Sequence, residues 1–409
     1  MIETINVDVA IVGAGPAGSA AALSCHKHGL SVALIDKAVF PRDKVCGDGI
    51  PLKTFKLLEE LGFNEQDLFK DGFKINRLKV YGPDHHVTTY GGLTPDASTK
   101  SGCIPRKAFD NALYRRAAAI CRYNLTGYKL EAIENGANIQ TLRVRSLKTK
   151  SEQTVVARAV IAADGANSYT ARLLKLLKRD QAHHFDGLRW YFKGKRFDSS
   201  VHLFYDKRTL PGYVWVFPVA RDMANVGIMI NKKHKKNTGA TIRDIFIDVL
   251  ESNPRLKAVL NGAEPLDEIK GAPLPLGTLP GSRITDGVVL VGDAAAFINP
   301  VTGGGIYFAI LSAMKAADIL AELLGKNVPV SKQNLQQYEH WWRQTIFPGF
   351  FYSDRLKKKL DSERFARLFF WLSSRFKPVA NYFIMVYGRP LPKGALRHPF
   401  FWLRVLMGK

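Results

Sequence analysis

The sequence predicts an α/β fold: a discontinuous Rossmann-type nucleotide-binding domain, an inserted antiparallel β-sheet domain, and a helical C-terminal tail. Three observations predict it. The chain opens on a buried strand, residues 7–12, which runs into Gly13-Ala14-Gly15-Pro16-Ala17-Gly18 and then a helix of small residues. Two later apolar strands, 155–163 and 288–291, end in Asp164-Gly165 and Gly292-Asp293. Between these α/β segments lie two stretches rich in alternating aromatic and β-branched residues, the signature of an inserted antiparallel sheet.

Each element follows from its local pattern. Residues 19–28 make the helix of the opening unit, with Gly29 as its cap. Residues 30–35 make the second strand, which ends at Asp36. Residues 51–61 have helical spacing. Residues 76–99 alternate through Tyr81, Val87 and Tyr90, as antiparallel strands do. Residues 106–120 return to helical spacing. From 185 to 230 the pattern is strand-rich, with Trp190-Tyr191-Phe192 and Tyr213 to Phe217. A long helix is expected over 304–324. The nucleotide-binding domain is therefore assigned to 1–75, 100–180 and 275–330, and the substrate-binding sheet domain to 76–99 and 181–274. The tail is 331–409.

The chain has 409 residues, enough for two or three domains or one large discontinuous one. Lys plus Arg number 59 against 36 Asp plus Glu, a formal net charge of +23, which argues for a polyanionic partner. The tail holds 15 Lys or Arg against 4 Asp or Glu and many aromatics, Trp341, Trp342, Trp371 and Trp402 among them. Within 354–376, Leu356, Leu360, Phe365, Leu368, Phe369, Leu372 and Phe376 follow helical spacing. Lys357, Lys358, Lys359, Arg364 and Arg367 crowd the other face. Such a helix either lies on an anionic membrane surface or docks on the parent domain with a solvated charged face. No pattern of a nucleic-acid-binding fold accompanies the charge, so no nucleic-acid partner is expected.

Cys25, Cys46, Cys103 and Cys121 have no CxxC spacing, and His85-His86 and His183-His184 lack ligand partners; no metal site is expected and the histidines read as surface residues. The start of the chain lacks a signal-peptide pattern, and no apolar run reaches 18 residues. A cytoplasmic protein, with the tail as a contact to the inner face of the membrane, is the expectation. The oligomeric state is left open.

The glycine motif carries the first chemistry. Gly13 permits the tight turn, Gly15 lets the backbone reach a pyrophosphate, and Gly18 lets the helix pack on the strand; Pro16 and Ala17 open that helix. The helix start offers partial positive charge and free N–H groups to phosphates. Asp36, with Lys37 beside it, ends the second strand where an acid binds a ribose hydroxyl.

Residues 161–168, with Asp164-Gly165, resemble the DG motif of the para-hydroxybenzoate hydroxylase-like flavoproteins, and residues 291–295 their GD motif. The resemblance implies FAD. It implies that Asp293, after Gly292, contacts the ribityl chain, and that the next helix start, with Gly303, Gly304, Gly305 and Ile306, faces the flavin ring. Arg106 matches a family arginine near the flavin; a plain surface charge is the other reading. Phe40-Pro41-Arg42-Asp43-Lys44-Val45-Cys46-Gly47-Asp48-Gly49 resembles the FPRxKxCGxG stretch of the geranylgeranyl reductases, and Tyr213-Val214-Trp215-Val216-Phe217-Pro218 their YxWxFP motif. That resemblance covers about residues 5–325. Two positions depart from it: Leu210 stands where a longer form of the motif has proline, and Gly227-Ile228-Met229 where some members have GxG.

On this resemblance Arg42, Cys46 and Gly47 join the cofactor site. Cys46 either tunes the flavin, donates a proton or packs. Tyr213, Trp215 and Phe217 point to one face of a strand and make an aromatic wall for a greasy substrate, Tyr213 and Trp215 being catalytic candidates as well. The expected activity is an FAD-dependent reductase that saturates carbon–carbon double bonds of an isoprenoid lipid, quinone or diphosphate. NADPH or another reductant supplies the electrons. The competing reading is a monooxygenase of the same fold acting on an aromatic or polyene substrate.

Overall fold

The computed structural model describes residues 3–91, 101–136, 138–178, 180–231, 239–376 and 379–380. Residues 92–99 of the expected strand pair, and Trp402 with the rest of the tail beyond 380, lie outside the described residues.

The first sheet has eight strands. Along its main path the order is Ile284–Thr285, Val288–Leu290, Glu152–Ala162, Glu3–Val12, Val32–Asp36, Tyr123–Thr126. From Val288–Leu290 to Tyr123–Thr126 the strands are parallel. Val9, Ala10 and Ile11 are fully buried in succession, the continuous burial of a parallel sheet covered on both faces. The hairpin Tyr128–Asn135 and Gln140–Ser146 adds antiparallel to Glu152–Ala162. The helices Pro16–Lys27 and Ile306–Gly325 pack together on small residues: a Cβ on Gly292 would sit 3.1 Å from Ala17 Cβ and 3.2 Å from Ala309 Cβ. Small side chains here bring the GD turn up against both helices.

The second sheet runs Glu264–Pro265, His184–Lys193, Met223–Asn231, Tyr213–Pro218, Ser200–Phe204, Arg77–Tyr81, Val87–Gly91, with Lys270–Pro275 also paired to His184–Lys193. Its side chains alternate between faces. Val214, Val216, Val226 and Ile228 bury against the helix Ile242–Ser252 through Ile245, Phe246 and Val249. Tyr213, Trp215, Met229, Leu203 and Leu78 take the other face, where the tail helices meet them. The helices Ile242–Ser252 and Pro254–Leu260 were absent from the sequence reading. Their start signals are in the chain: Thr241 and Asp244 form a capping box, and Asn253 caps the second helix ahead of Pro254.

The tail differs from the single amphipathic helix expected over 354–376. It forms Gln336–Thr345, Phe347–Leu360 and Glu363–Arg375, with the break at Asp361-Ser362, where Ser362 accepts from the Phe365 N–H. The break resets the phase. In the last helix the buried stripe is Ala366, Phe369, Phe370 and Ser373, so Leu368 is 55% exposed and Phe376, just past its end, 49%. Lys357 is not on the solvated face. It is buried and pairs with Asp354 at 2.6 Å. His183 and His184 also differ from the surface reading: both are half-buried, His183 Nδ1 2.7 Å from Thr278 Oγ1 and His184 Nδ1 2.6 Å from the Asp180 carbonyl.

Candidate active site

The glycine turn is built by two kinds of glycine. Gly13 has φ +104°, and a Cβ there would strike the Ala163 carbonyl of the neighbouring strand end. A Cβ on Gly18 would strike the Gly13 carbonyl. Both positions are closed by backbone. Gly15 is open: its φ is −70°, and the nearest atom to a Cβ is the Arg42 guanidinium at 3.2 Å. Arg42 is held there by Asp110 at 2.8 Å and lies over the Phe40 ring. An uncovered glycine, a helix start and a guanidinium fit a diphosphate.

Asp36 braces the turn, accepting from the Ala14 N–H at 2.7 Å and the Ala38 N–H at 2.8 Å. Lys37 is exposed and is not part of the cavity wall described next. Asp164 is spent on the fold: Ser168 and Thr170 donate to its two oxygens and start the helix Tyr169–Leu173. Gly165 has φ +78°. The DG segment also sets the Ala163 carbonyl against Gly13.

A cavity of about 940 Å³ lies between the two sheets and the tail. It is at the upper end of the size usual for small-molecule sites. Asp293 and the run Gly303 to Ile306 form part of its wall. Gly292 and Gly303 have φ +57° and +63°, and a Cβ on Gly305 would come within 2.9 Å of Asp293 Oδ1. The GD carboxylate and the bare helix start therefore face one another at close range. Together with the Gly15–Arg42 turn, these residues fit FAD.

Tyr213, Trp215 and Phe217 share one face of their strand and all line the cavity, with successive ring centroids 6.3 Å apart. Tyr213 donates to the Thr302 carbonyl at 2.6 Å, tying the wall to the glycine run. Trp215 lies across Gly227 of the next strand, where a Cβ would collide with the indole ring. Gly227, the glycine kept from GxG, is thus the seat of the motif tryptophan, and the departure falls at Met229. A Cβ on Gly47 would meet Phe217 at 3.3 Å and Trp215 Nε1 at 3.4 Å, so the Cys46-Gly47 turn packs closely on the aromatics and a side chain there would press on both rings. Cys46 lines the same cavity.

Behind this turn sits a polar group the sequence reading passed over. Asp48 is 1% exposed and has φ +63°. Its Oδ2 accepts from Tyr191 Oη at 2.6 Å and Asn225 Nδ2 at 2.7 Å, and its Oδ1 from the Arg106 N–H at 3.2 Å. Burial pushes its carboxyl up to about 6, against the opposing effect of those donors. Asn225 also donates to the Cys46 carbonyl at 2.7 Å and accepts from Trp215 Nε1 at 2.8 Å. Arg189 reaches Asp43 at the other end of the same turn. The signal available in sequence was an asparagine inside an otherwise apolar strand.

Arg106 is buried, not a surface charge. It pairs with Asp110 through Nε at 2.6 Å and Nη2 at 2.7 Å, and both it and Cys46 line the cavity. Lys53, also on the cavity wall, lies 4.1 Å from the Tyr307 ring centroid, and burial pulls its ammonium down to about 8.

Residues 6–345 match the family described as FAD binding domain. The chain is 31% identical over 349 residues to a digeranylgeranylglycerophospholipid reductase of Methanococcus vannielii, which covers 83% of each chain. It is 29% identical over 321 residues to a menaquinone reductase of Mycobacterium tuberculosis, covering 77% of this chain and 76% of the relative. Among solved structures, a geranylgeranyl bacteriochlorophyll reductase-like protein from Thermoplasma acidophilum superposes with a TM-score of 0.79 at 24% identity, covering 91% of this chain and 92% of that one. A flavin-dependent brominase superposes with a TM-score of 0.77 at 20% identity, covering 93% of both chains. At these identities the superpositions speak for the fold alone. With the matched span, the relatives and the two-sheet cavity taken together, the chain belongs to the FAD-binding family and, within it, to the geranylgeranyl reductases, as an FAD-dependent oxidoreductase.

Proposed function

We propose that the chain saturates carbon–carbon double bonds of an isoprenoid chain carried by a lipid or a quinone. The observation that carries this is the shared cavity: the Tyr213–Trp215–Phe217 face, the Cys46-Gly47 turn packed against that face, and the Gly303–Gly305 run all line it. Reduced FAD, when bound, supplies the hydride. The chain's own residues do the rest. Tyr213, Trp215 and Phe217 hold an extended alkene and exclude water, and Trp215 is fixed in place by Asn225. Cys46 stands on the wall where a proton is needed, and the glycines at 47 and 49 bring it close to the aromatics.

The named relatives support an isoprenoid substrate. One is named for a digeranylgeranyl phospholipid and another for menaquinone, and these two classes are the substrates to test. NADPH or another reductant is the proposed electron source. The end of the described tail exposes Leu368 and Trp371 of its last helix and Phe376 just past it, with Lys359 of the preceding helix and Arg364 and Arg375 also exposed, a combination suited to an anionic bilayer, from which a greasy substrate would enter. No helix among the described residues is long and apolar enough to cross a membrane.

The test is mass spectrometry of lipid and quinone extracts incubated with FAD-loaded protein and a reductant, in parallel without and with oxygen. Gain of two hydrogens per double bond supports the proposal. Product that forms only with oxygen, and carries an added oxygen atom, replaces it with the monooxygenase.

A further inference from the structure

The strand His184–Lys193 presents Arg189 and Tyr191 on one face, and they grip the two ends of the turn that carries Cys46: Arg189 at Asp43, Tyr191 at Asp48. Asn225, directly across from Tyr191 in the ladder, adds bonds to Asp48 and to the Cys46 carbonyl. Nothing in the reduction itself requires a buried carboxylate two residues from the thiol. Taking a carboxylate out of water costs several kcal/mol even after relaxation, and a neutral asparagine would fit the left-handed backbone at least as well.

The surroundings of Cys46 are electrically mixed. On one side the positive charge of the Arg106 guanidinium favours the ionised form of the sulfur. Asp110 shares the charge of Arg106. On the other side are the Asp48 carboxylate, the buried Cys103 and the Tyr191 hydroxyl, with Arg189 stacked over the Tyr191 ring at 4.1 Å. Burial and Asp48 together outweigh Arg106, so the thiol is pushed up.

We propose that Asp48 is a positioning residue for Cys46: with Tyr191 and Asn225 it pins the Cys46-Gly47 turn to the inserted sheet, and its carboxylate, set behind the turn, opposes the pull of Arg106 and keeps the proton on the sulfur that faces the cavity. Docking of the inserted sheet thereby governs the protonation state of a group in the FAD domain. A thiol holds a proton to give; a thiolate beside a guanidinium does not.

The proposal rests on the reduction reading only for its purpose. Its test involves no turnover, so it fails or stands separately from that reading. FAD-loaded protein is treated with iodoacetamide from pH 6 to 10, and carbamidomethylation of the Cys46 peptide is followed by mass spectrometry. Asp48→Asn suits the left-handed turn and removes the charge, while its amide gives up at least one of the hydrogen bonds that the carboxylate accepts. Tyr191→Phe removes one hydrogen bond to the turn and leaves the charge, which is ionised over the range where a thiol titrates. The expected result is a midpoint about one pH unit lower in Asp48→Asn, read as roughly tenfold faster labelling below the midpoint, with the midpoint of Tyr191→Phe unchanged. Loosening of the turn alone would raise the rate at every pH without moving the midpoint. An unmoved midpoint in Asp48→Asn, or an equal shift in both variants, overturns the proposal.

Discussion

Gly13 and Gly15 lie two residues apart in one motif, yet substitution should separate stability from cofactor binding. For Gly13→Ala the backbone is left-handed at φ +104°, which costs about 1–2 kcal/mol for a residue with a Cβ. The added carbon would also meet the Ala163 carbonyl. That oxygen is strand backbone and has no rotamer to escape into, so overpacking adds about 1–3 kcal/mol. The fold should lose several kcal/mol. Gly15→Ala meets none of this. Its φ of −70° suits any residue, and its one near neighbour is the end of a flexible arginine. Alanine is poorer than glycine at the helix cap by a fraction of a kcal/mol, and it lowers unfolded-chain entropy by a similar amount. The two offset.

What Gly15→Ala fills is the space where a diphosphate must approach the N–H groups of the turn. Loss of one or two charge-assisted hydrogen bonds at about 1.5–3 kcal/mol each weakens FAD binding on the order of a hundredfold. The assays are urea unfolding of the apoprotein and flavin-fluorescence titration of each variant. Gly15→Ala should unfold within about 1 kcal/mol of the parent chain and bind FAD poorly. A Gly15→Ala protein that takes up FAD at parental affinity, or one that unfolds as readily as Gly13→Ala, refutes the placement of the diphosphate over this turn.

Trp215→Leu should raise KM for an isoprenoid substrate by about tenfold or more, since a buried aromatic face contributes roughly 1.5–3 kcal/mol; an unchanged KM removes Trp215 from the substrate wall. Asp48 should mark the pH dependence of stability. Its carboxyl titrates near 6 when folded against 3.8 in the free side chain, so the folded state holds a proton that the unfolded chain releases, and stability falls as pH rises through 6. Between pH 4 and 7 the parent should lose on the order of 3 kcal/mol relative to Asp48→Asn, read from paired urea curves; parallel curves count against a buried Asp48. Gly227→Val should displace the Trp215 indole and cost about 1–3 kcal/mol, visible as a red shift in tryptophan emission on exposure. Leu368→Asp with Trp371→Asp should abolish sedimentation with phosphatidylglycerol vesicles at low salt; undiminished binding assigns the membrane contact elsewhere.

The Rossmann half was legible in the sequence because its signals are local. A buried strand, three glycines and a following strand lie within 36 residues, and the helix over 106–120 was placed on its observed bounds, Arg106–Ile120. The aromatic wall was legible because strand alternation alone puts Tyr213, Trp215 and Phe217 on one side. Asp48, Tyr191 and Asn225 were not, because their meaning is a contact across 143 and 177 residues of chain. No periodicity encodes such a pairing. At Asp164 the motif announces an acid at the strand end, and the local cap in which Ser168 and Thr170 donate to its two oxygens is seen only in the structure. The tail misled through phase. A helical stripe counted across Asp361-Ser362 looks continuous in the sequence, and the cap at Ser362 resets it.

Phe350 of the helix Phe347–Leu360 sits edge-on to Phe308 with centroids 4.7 Å apart and occupies the place where a side chain on residue 277 would be. It lines the cavity from a segment belonging to neither sheet, together with Ile346, Gly349 and Tyr352. The tail thus shares in shaping the space, apart from the glycine turn and Asp293. A change of bulk at residue 350 would alter the room left for a long chain while leaving the nucleotide-facing residues as they are.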